Sequence, residues 1–146
     1  MVQFEMTETH QFSLNVSVLV VDDEQFARQI LVRTVKREGY SVSEAVDGIE
    51  ALEKMEDGHF DFVISDIRMP RMNGLQLLKE IKTSYPETSV LLITGNKAEI
   101  SSEAALAAGA DHFITKPFKN LEIAQTLKAL FIRRLQQQRR KLKSRR

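Results

Sequence analysis

The chain has 146 residues, 42% of them hydrophobic, no cysteine and a formal net charge of +1. This length suits one domain with a core large enough to fold unaided, and the lack of cysteine excludes disulfides and thiolate-bound metals. No apolar run reaches the roughly 18–20 residues that cross a bilayer, and residues 1–8 show neither the basic n-region nor the apolar h-region of a signal peptide, so a cytoplasmic protein is expected.

Residues 1–14 carry no strong pattern and read as an N-terminal extension. Val16-Ser17-Val18-Leu19-Val20-Val21 is a β-branched run too short for a typical helix and predicts a first strand. From Glu24 to Glu38, Phe26, Ile30, Leu31 and Val35 recur at helical spacing, and Gly39 is placed to close that helix. Tyr40–Ala45 predicts a second, weaker strand. Asp47-Gly48 precedes a short helix over Ile49–Met55 that ends near Asp57-Gly58. Asp61–Ser65 predicts the third strand. Asn73–Tyr85 is helical, with Leu75, Leu78 and Ile81 on one face, and stops before Pro86. Ser89–Ile93 predicts the fourth strand, Ala98–Ala108 an alanine-rich helix ended by Gly109, and Asp111–Thr115 the fifth strand. A long final helix starts at Leu121. Five strands alternating with helices predict an α/β fold, a doubly wound parallel sheet in the flavodoxin-like order 2-1-3-4-5.

In a parallel sheet the carboxyl ends of all strands lie along one edge, where open α/β folds place their ligand chemistry. The first strand ends in Asp22-Asp23-Glu24, the third in Asp66, the fourth in Thr94-Gly95 and the fifth in Thr115-Lys116-Pro117. Taken singly, Asp22 or Asp23 also suits a helix cap, and Asp66 and Thr94 suit turns. Capping alone would not place a hydroxyl and a cation at the last two strand ends. Together, clustered carboxylates call for a hard cation with oxygen ligands, for which Mg²⁺ is suited. A carboxylate beside it can act as a nucleophile toward phosphorus, with Lys116 and Thr94 available to the phosphoryl oxygens.

Over residues 15–132 the chain closely resembles the receiver domain of bacterial two-component response regulators. The motifs that carry the resemblance are Val20-Val21-Asp22-Asp23-Glu24, Ser65-Asp66-Ile67-Arg68-Met69-Pro70-Arg71-Met72-Asn73-Gly74, Ile93-Thr94-Gly95, Ala108-Gly109-Ala110-Asp111 and Thr115-Lys116-Pro117-Phe118. The resemblance implies that Asp66 is the phosphoacceptor. It implies a Mg²⁺ site made by Asp23 directly, Asp22 largely through water, Asp66, and the backbone carbonyl of Arg68. Lys116 is then the lysine that pairs with Asp66 and afterwards with the phosphoryl group, and the Lys116–Pro117 bond is expected to be cis. Thr94 and Phe113 take the positions of the family's switch pair, with Phe lacking the tyrosine hydroxyl of many relatives. Arg68 and Asn96 would flank the path of the hydrolytic water. The implied phosphodonor is a sensor histidine kinase or a small acyl phosphate. The implied target is a downstream protein or output domain, reached through the fourth strand, fourth helix and fifth strand.

The final segment, 133–146, holds eight basic side chains and no acid, which leaves 13 basic against 20 acidic residues in 1–132, a net of −7. This basic extension is read as helical, or as the start of a linker. Phe131, Leu135, Gln138 and Leu142 follow a 4-3-4 spacing compatible with a coiled-coil seam, so a homodimer stays open. No DNA-reading module follows, so direct DNA binding by this chain alone is not expected. His10, His59 and His112 lack metal-ligand spacing and are read as surface or turn residues. A phosphatase acting through an aspartyl phosphate would show a second acid two residues after its nucleophile. That position is Arg68, and the chain is read as a regulator that catalyses only its own phosphorylation and dephosphorylation.

Overall fold

A computed structural model describes residues 16–95 and 100–144. Five strands, β1 (Ser17–Val21), β2 (Ser41–Ala45), β3 (Phe62–Asp66), β4 (Ser89–Thr94) and β5 (His112–Thr115), alternate with α1 (Gln25–Arg37), α2 (Gly48–Asp57), α3 (Gly74–Ser84), α4 (Ser102–Ala107) and α5 (Asn120–Ser144). The strands form one parallel sheet in the order β2-β1-β3-β4-β5, the expected doubly wound α/β arrangement.

Strand periodicity explains why β1, β3 and β4 read as unbroken apolar runs. Successive side chains point to opposite faces, and both faces are covered. Leu19, Val21, Val63, Val90 and Leu92 pack with Ala51 and Met55 of α2 and Leu77, Leu78 and Ile81 of α3. Val18, Val20, Phe62, Ile64, Leu91 and Ile93 pack on the other face with Leu31 and Val35 of α1 and Ile123, Leu127 and Leu130 of α5. The edge strand β2 is largely exposed, which accounts for its weaker pattern.

Helix starts follow their capping residues. Asp47 accepts from the Glu50 N–H at the start of α2, and Asn73 and Gln76 form a reciprocal capping box on α3. Gly39, with φ 92°, ends α1 in the left-handed region. The fourth helix is shorter than the sequence suggested. Ser101 caps it by accepting from the Ala104 N–H, so the helix starts at Ser102 rather than Ala98; Asn96 to Glu99 lie outside the described residues, as do residues 1–15.

The last helix runs without a break through residue 132 to Ser144. Its final buried residue is Leu130. Beyond it, Phe131, Leu135 and Gln138 line a small cavity against Val16, Asp61 and Phe62. Of the four residues of the suggested seam only Phe131 is half-buried against the chain's own body; Leu135 and Gln138 edge the cavity but stay exposed, as does Leu142. Among the described residues no helix is long and apolar enough to cross a membrane.

Candidate functional site

The sheet brings the predicted polar residues to one edge. Asp22 directly follows β1 and Asp66 is the last residue of β3. One carboxylate oxygen from each of Asp22, Asp23 and Asp66 lies within 4.8 Å of the other two. Lys116, one residue past β5, places Nζ 3.4 Å from Asp66 Oδ2 and 4.0 Å from Asp22 Oδ2. The Lys116–Pro117 peptide is cis.

The three carboxylates sit in different surroundings. Asp23 is exposed, and Asp66 is half-buried. Asp66 Oδ1 accepts from its neighbour's amide, Ile67 N, at 2.8 Å, which leaves Oδ2 toward Lys116. Asp22 is 1% exposed. Its Oδ1 accepts from Glu24 N at 2.9 Å, whereas Oδ2 is buried with no hydrogen-bond partner among the described residues. Burial pushes the Asp22 carboxyl above the usual range; the Glu24 amide and Lys116 oppose this, and the charges of Asp66 and Asp23 add to it. Neither acid caps α1, whose N-cap is Glu24 without a side-chain bond. A buried carboxylate oxygen with no donor, beside two further carboxylates, matches the donor set of a hard divalent cation.

The β3–α3 loop depends on one glycine. A Cβ on Gly74 would fall 2.3 Å from the Asp66 carbonyl oxygen, and the Gly74 amide donates to Ile67 O at 2.8 Å. Any side chain there would push α3 away from the strand that ends in Asp66. Thr94 is fully buried at the end of β4. Phe113 is half-buried and packs against the core on the α2–α3 face. Arg68 is exposed in the loop after β3, and Asn96 lies outside the described residues.

Two pairs around the site have no distinct signal in the sequence. Arg28 of α1 donates through Nη1 to the Asp22 carbonyl at 2.9 Å and through Nε to Glu44 at 2.8 Å. Arg71 reaches Asp47, 24 residues away. Both join segments that only the fold brings together. Asp47-Gly48 was legible as a helix start, and Asp47 does cap α2, but its second partner was not.

The profile of the response regulator receiver domain matches residues 18–128. This chain belongs to that family, the receivers of two-component systems. It is 36% identical over 118 residues to the response regulator MprA of a Mycobacterium species (strain KMS), covering 81% of this chain and 51% of MprA. MprA of Mycobacterium bovis (strain BCG / Pasteur 1173P2) is 34% identical over 120 residues, with coverage of 82% and 52%. The chain thus spans about half the length of these curated relatives. Among solved structures, a CheY-like receiver from Methanospirillum hungatei superposes with a TM-score of 0.77 at 28% identity, covering 84% of this chain and 98% of that one. TrrA of Thermotoga maritima, solved in complex with Mg²⁺-BeF, gives 0.72 at 35% identity, with coverage of 79% and 98%.

Proposed function

We propose that Asp66 accepts a phosphoryl group and that the resulting charge changes the surface presented to a partner. The observation that carries this reading is the gathering of Asp22, Asp23 and Asp66 with Lys116 at one strand edge. In the forward step an Asp66 carboxylate oxygen attacks the phosphorus of a histidine kinase phosphohistidine. An O–P bond forms, the N–P bond breaks, and its electron pair stays on the imidazole nitrogen. With a small acyl phosphate the acyl oxygen leaves instead. In a separate hydrolytic step water attacks the same phosphorus, the bond between phosphorus and the Asp66 oxygen breaks with its electron pair left on the carboxylate, and inorganic phosphate leaves.

Asp22, Asp23, Asp66 and the Arg68 carbonyl would hold Mg²⁺, and the orphaned Asp22 oxygen supports this fit. When bound, the cation offsets the charge of the carboxylates and of the transferring phosphoryl group. Lys116, already near Asp66 Oδ2, passes its contact to a phosphoryl oxygen. The Thr94 hydroxyl turns toward the same group, and Phe113 rotates into the space vacated. The altered surface around β4, α4 and β5 then meets a downstream protein or an output domain. Residues 15–132 form the receiver unit in this reading, and 133–146 a helical extension or the start of a linker. The setting is cytoplasmic, where the kinase module would meet it.

Intact-mass analysis after incubation with acetyl phosphate and Mg²⁺ tests the reading. The wild-type chain gains one phosphoryl group, and Asp66→Ala gains none. An unmodified wild-type chain with several donors, or equal gain in Asp66→Ala, would refute it.

A further inference from the structure

We infer that Arg71 is a positioning residue for the cation site, fixing the β3–α3 loop against the turn that starts α2. Arg71 has φ 64°, a left-handed conformation that non-glycine residues seldom adopt. Its side chain reaches Asp47 Oδ2 through Nε at 2.7 Å and Nη2 at 2.6 Å. The other Asp47 oxygen accepts from Glu50 N at 2.9 Å. Asp47 is 3% exposed, so both oxygens of a buried carboxylate are engaged. One caps α2 and the other holds the loop.

Four further contacts give the clamp its leverage. Gly48 N donates to Met72 O at 3.4 Å, and Gly74 N closes the base of the loop on Ile67 O at 2.8 Å. A Cβ on Gly48 would lie 2.7 Å from Met72 Cγ, so the Met72 side chain occupies the space that glycine leaves. The Asp22 amide donates to Ala45 O at 3.1 Å, two residues before Asp47. The β2–α2 turn therefore ties together the strand end that carries Asp22 and the loop that carries Arg68. A loop held only at its base would let the Arg68 carbonyl drift. An ion pair three residues further on, between the buried Asp47 carboxylate and the largely exposed Arg71 guanidinium, fixes it. Arg71 acts through this loop and touches neither the cation nor the phosphoryl group.

The inference rests on the Mg²⁺ site proposed above, and calorimetric titration of the full chain with MgCl₂ separates the two. Arg71→Gly suits the left-handed backbone and removes only the clamp. It is expected to weaken Mg²⁺ affinity by about tenfold, measured well below the unfolding temperature in EDTA, which falls because Asp47 Oδ2 loses its donor. Asp47→Asn should weaken affinity similarly, and the double variant no further than either single one, because one pair is lost in each case. Affinities of Arg71→Gly and Asp47→Asn equal to wild type would overturn the inference, as would losses that add in the double variant. A wild-type chain that binds no Mg²⁺ would remove the site itself and this inference with it.

Discussion

The amino edge of the sheet and the carboxyl end of β1 treat their charges in opposite ways; Asp47, beyond the carboxyl end of β2, is satisfied like the acids of the amino edge. At the amino edge Asp61 and Asp111 each accept from more than one donor. Asp61 Oδ2 accepts from Ser17 N at 2.9 Å, its carbonyl accepts from Arg134 Nη1 at 2.7 Å, and Arg134 Nη2 stands 3.3 Å from Oδ1. Asp111 Oδ2 accepts from Lys82 Nζ and from Val90 N, each at 2.7 Å. At the carboxyl edge Asp22 Oδ2 has no donor among the described residues, and the nearest cation, Lys116, stands 4.0 Å away. Satisfied charges hold strands in register and leave nothing for chemistry. Unsatisfied ones cost stability and are kept where a ligand can complete them. The same residue types thus serve the fold at one edge and the site at the other.

The largest expected effect comes from Asp22→Asn, which removes an unsatisfied charge. Mg²⁺ affinity should fall by about tenfold or more, while the metal-free chain becomes more stable. The pH dependence follows in sign. The folded Asp22 carboxyl titrates above the ordinary value of 3.8, so the proton stabilises the folded chain. That contribution is complete below the unfolded pKa and is lost as pH rises through the folded one. In EDTA the gain in melting temperature from Asp22→Asn should open as pH rises above about 4 and close below it. Asp47 has the reverse sign. Burial opposes its ionisation, but the Glu50 amide and the Arg71 guanidinium together hold its carboxyl below the usual value. Its contribution is present above the unfolded pKa and is lost as pH falls through the folded one, so Asp47→Asn should destabilise least in acid. Loss of stability from Asp22→Asn at neutral pH would break the contrast between the edges.

A smaller and opposite effect is expected from Asp61→Ala. It strips a donor-rich site, leaving Ser17 N and Arg134 without their side-chain acceptor. Arg134 also stands 5.8 Å over the Phe62 ring, so the loss reaches the start of β3. Denaturant unfolding should show a loss of about 2 kcal/mol, with phosphoryl incorporation at Asp66 unchanged. A variant as stable as wild type but slow to phosphorylate would mean that the amino edge serves the site after all.

The fold was legible because each strand announces itself locally and the crossover rule leaves few topologies. The placement of Asp22, Asp66, Thr94 and Lys116 at one edge was legible for the same reason: each closes or directly follows a strand, Asp23 comes one residue after Asp22, and a parallel sheet collects strand ends. Contacts that cross between loops were not. Arg71 reads as one more polar loop residue until the turn at Asp47 lies beside it, and Arg134 reads as part of a basic run. In the fold that run divides: Arg134 is held at Asp61, and Arg139 and Arg140 are exposed. The start of α4 was misplaced because alanine content suggests helix from Ala98, whereas the Ser101 side chain sets where it begins.

The weakest contact at the amino edge gives the finest test of the comparison. Lys141 Nζ lies 3.5 Å from Glu87 Oε1, but both side chains are mostly exposed, at 66% and 74%. Water screens such a pair and two long side chains lose freedom in forming it, so Lys141→Ala should cost no more than about 0.5 kcal/mol and less as salt is raised. Arg134, with 17% of its side chain exposed and bonded to a backbone carbonyl, should matter more to how α5 is held beyond Leu130. Hydrogen exchange along residues 131–144 separates the two. Arg134→Ala should speed exchange from Phe131 onward, whereas Lys141→Ala should affect only the last turn. Equal effects would mean that the extension is held by its exposed charge and not by satisfaction of a buried one, and the amino edge would then owe its order to the same exposed electrostatics as any solvated helix.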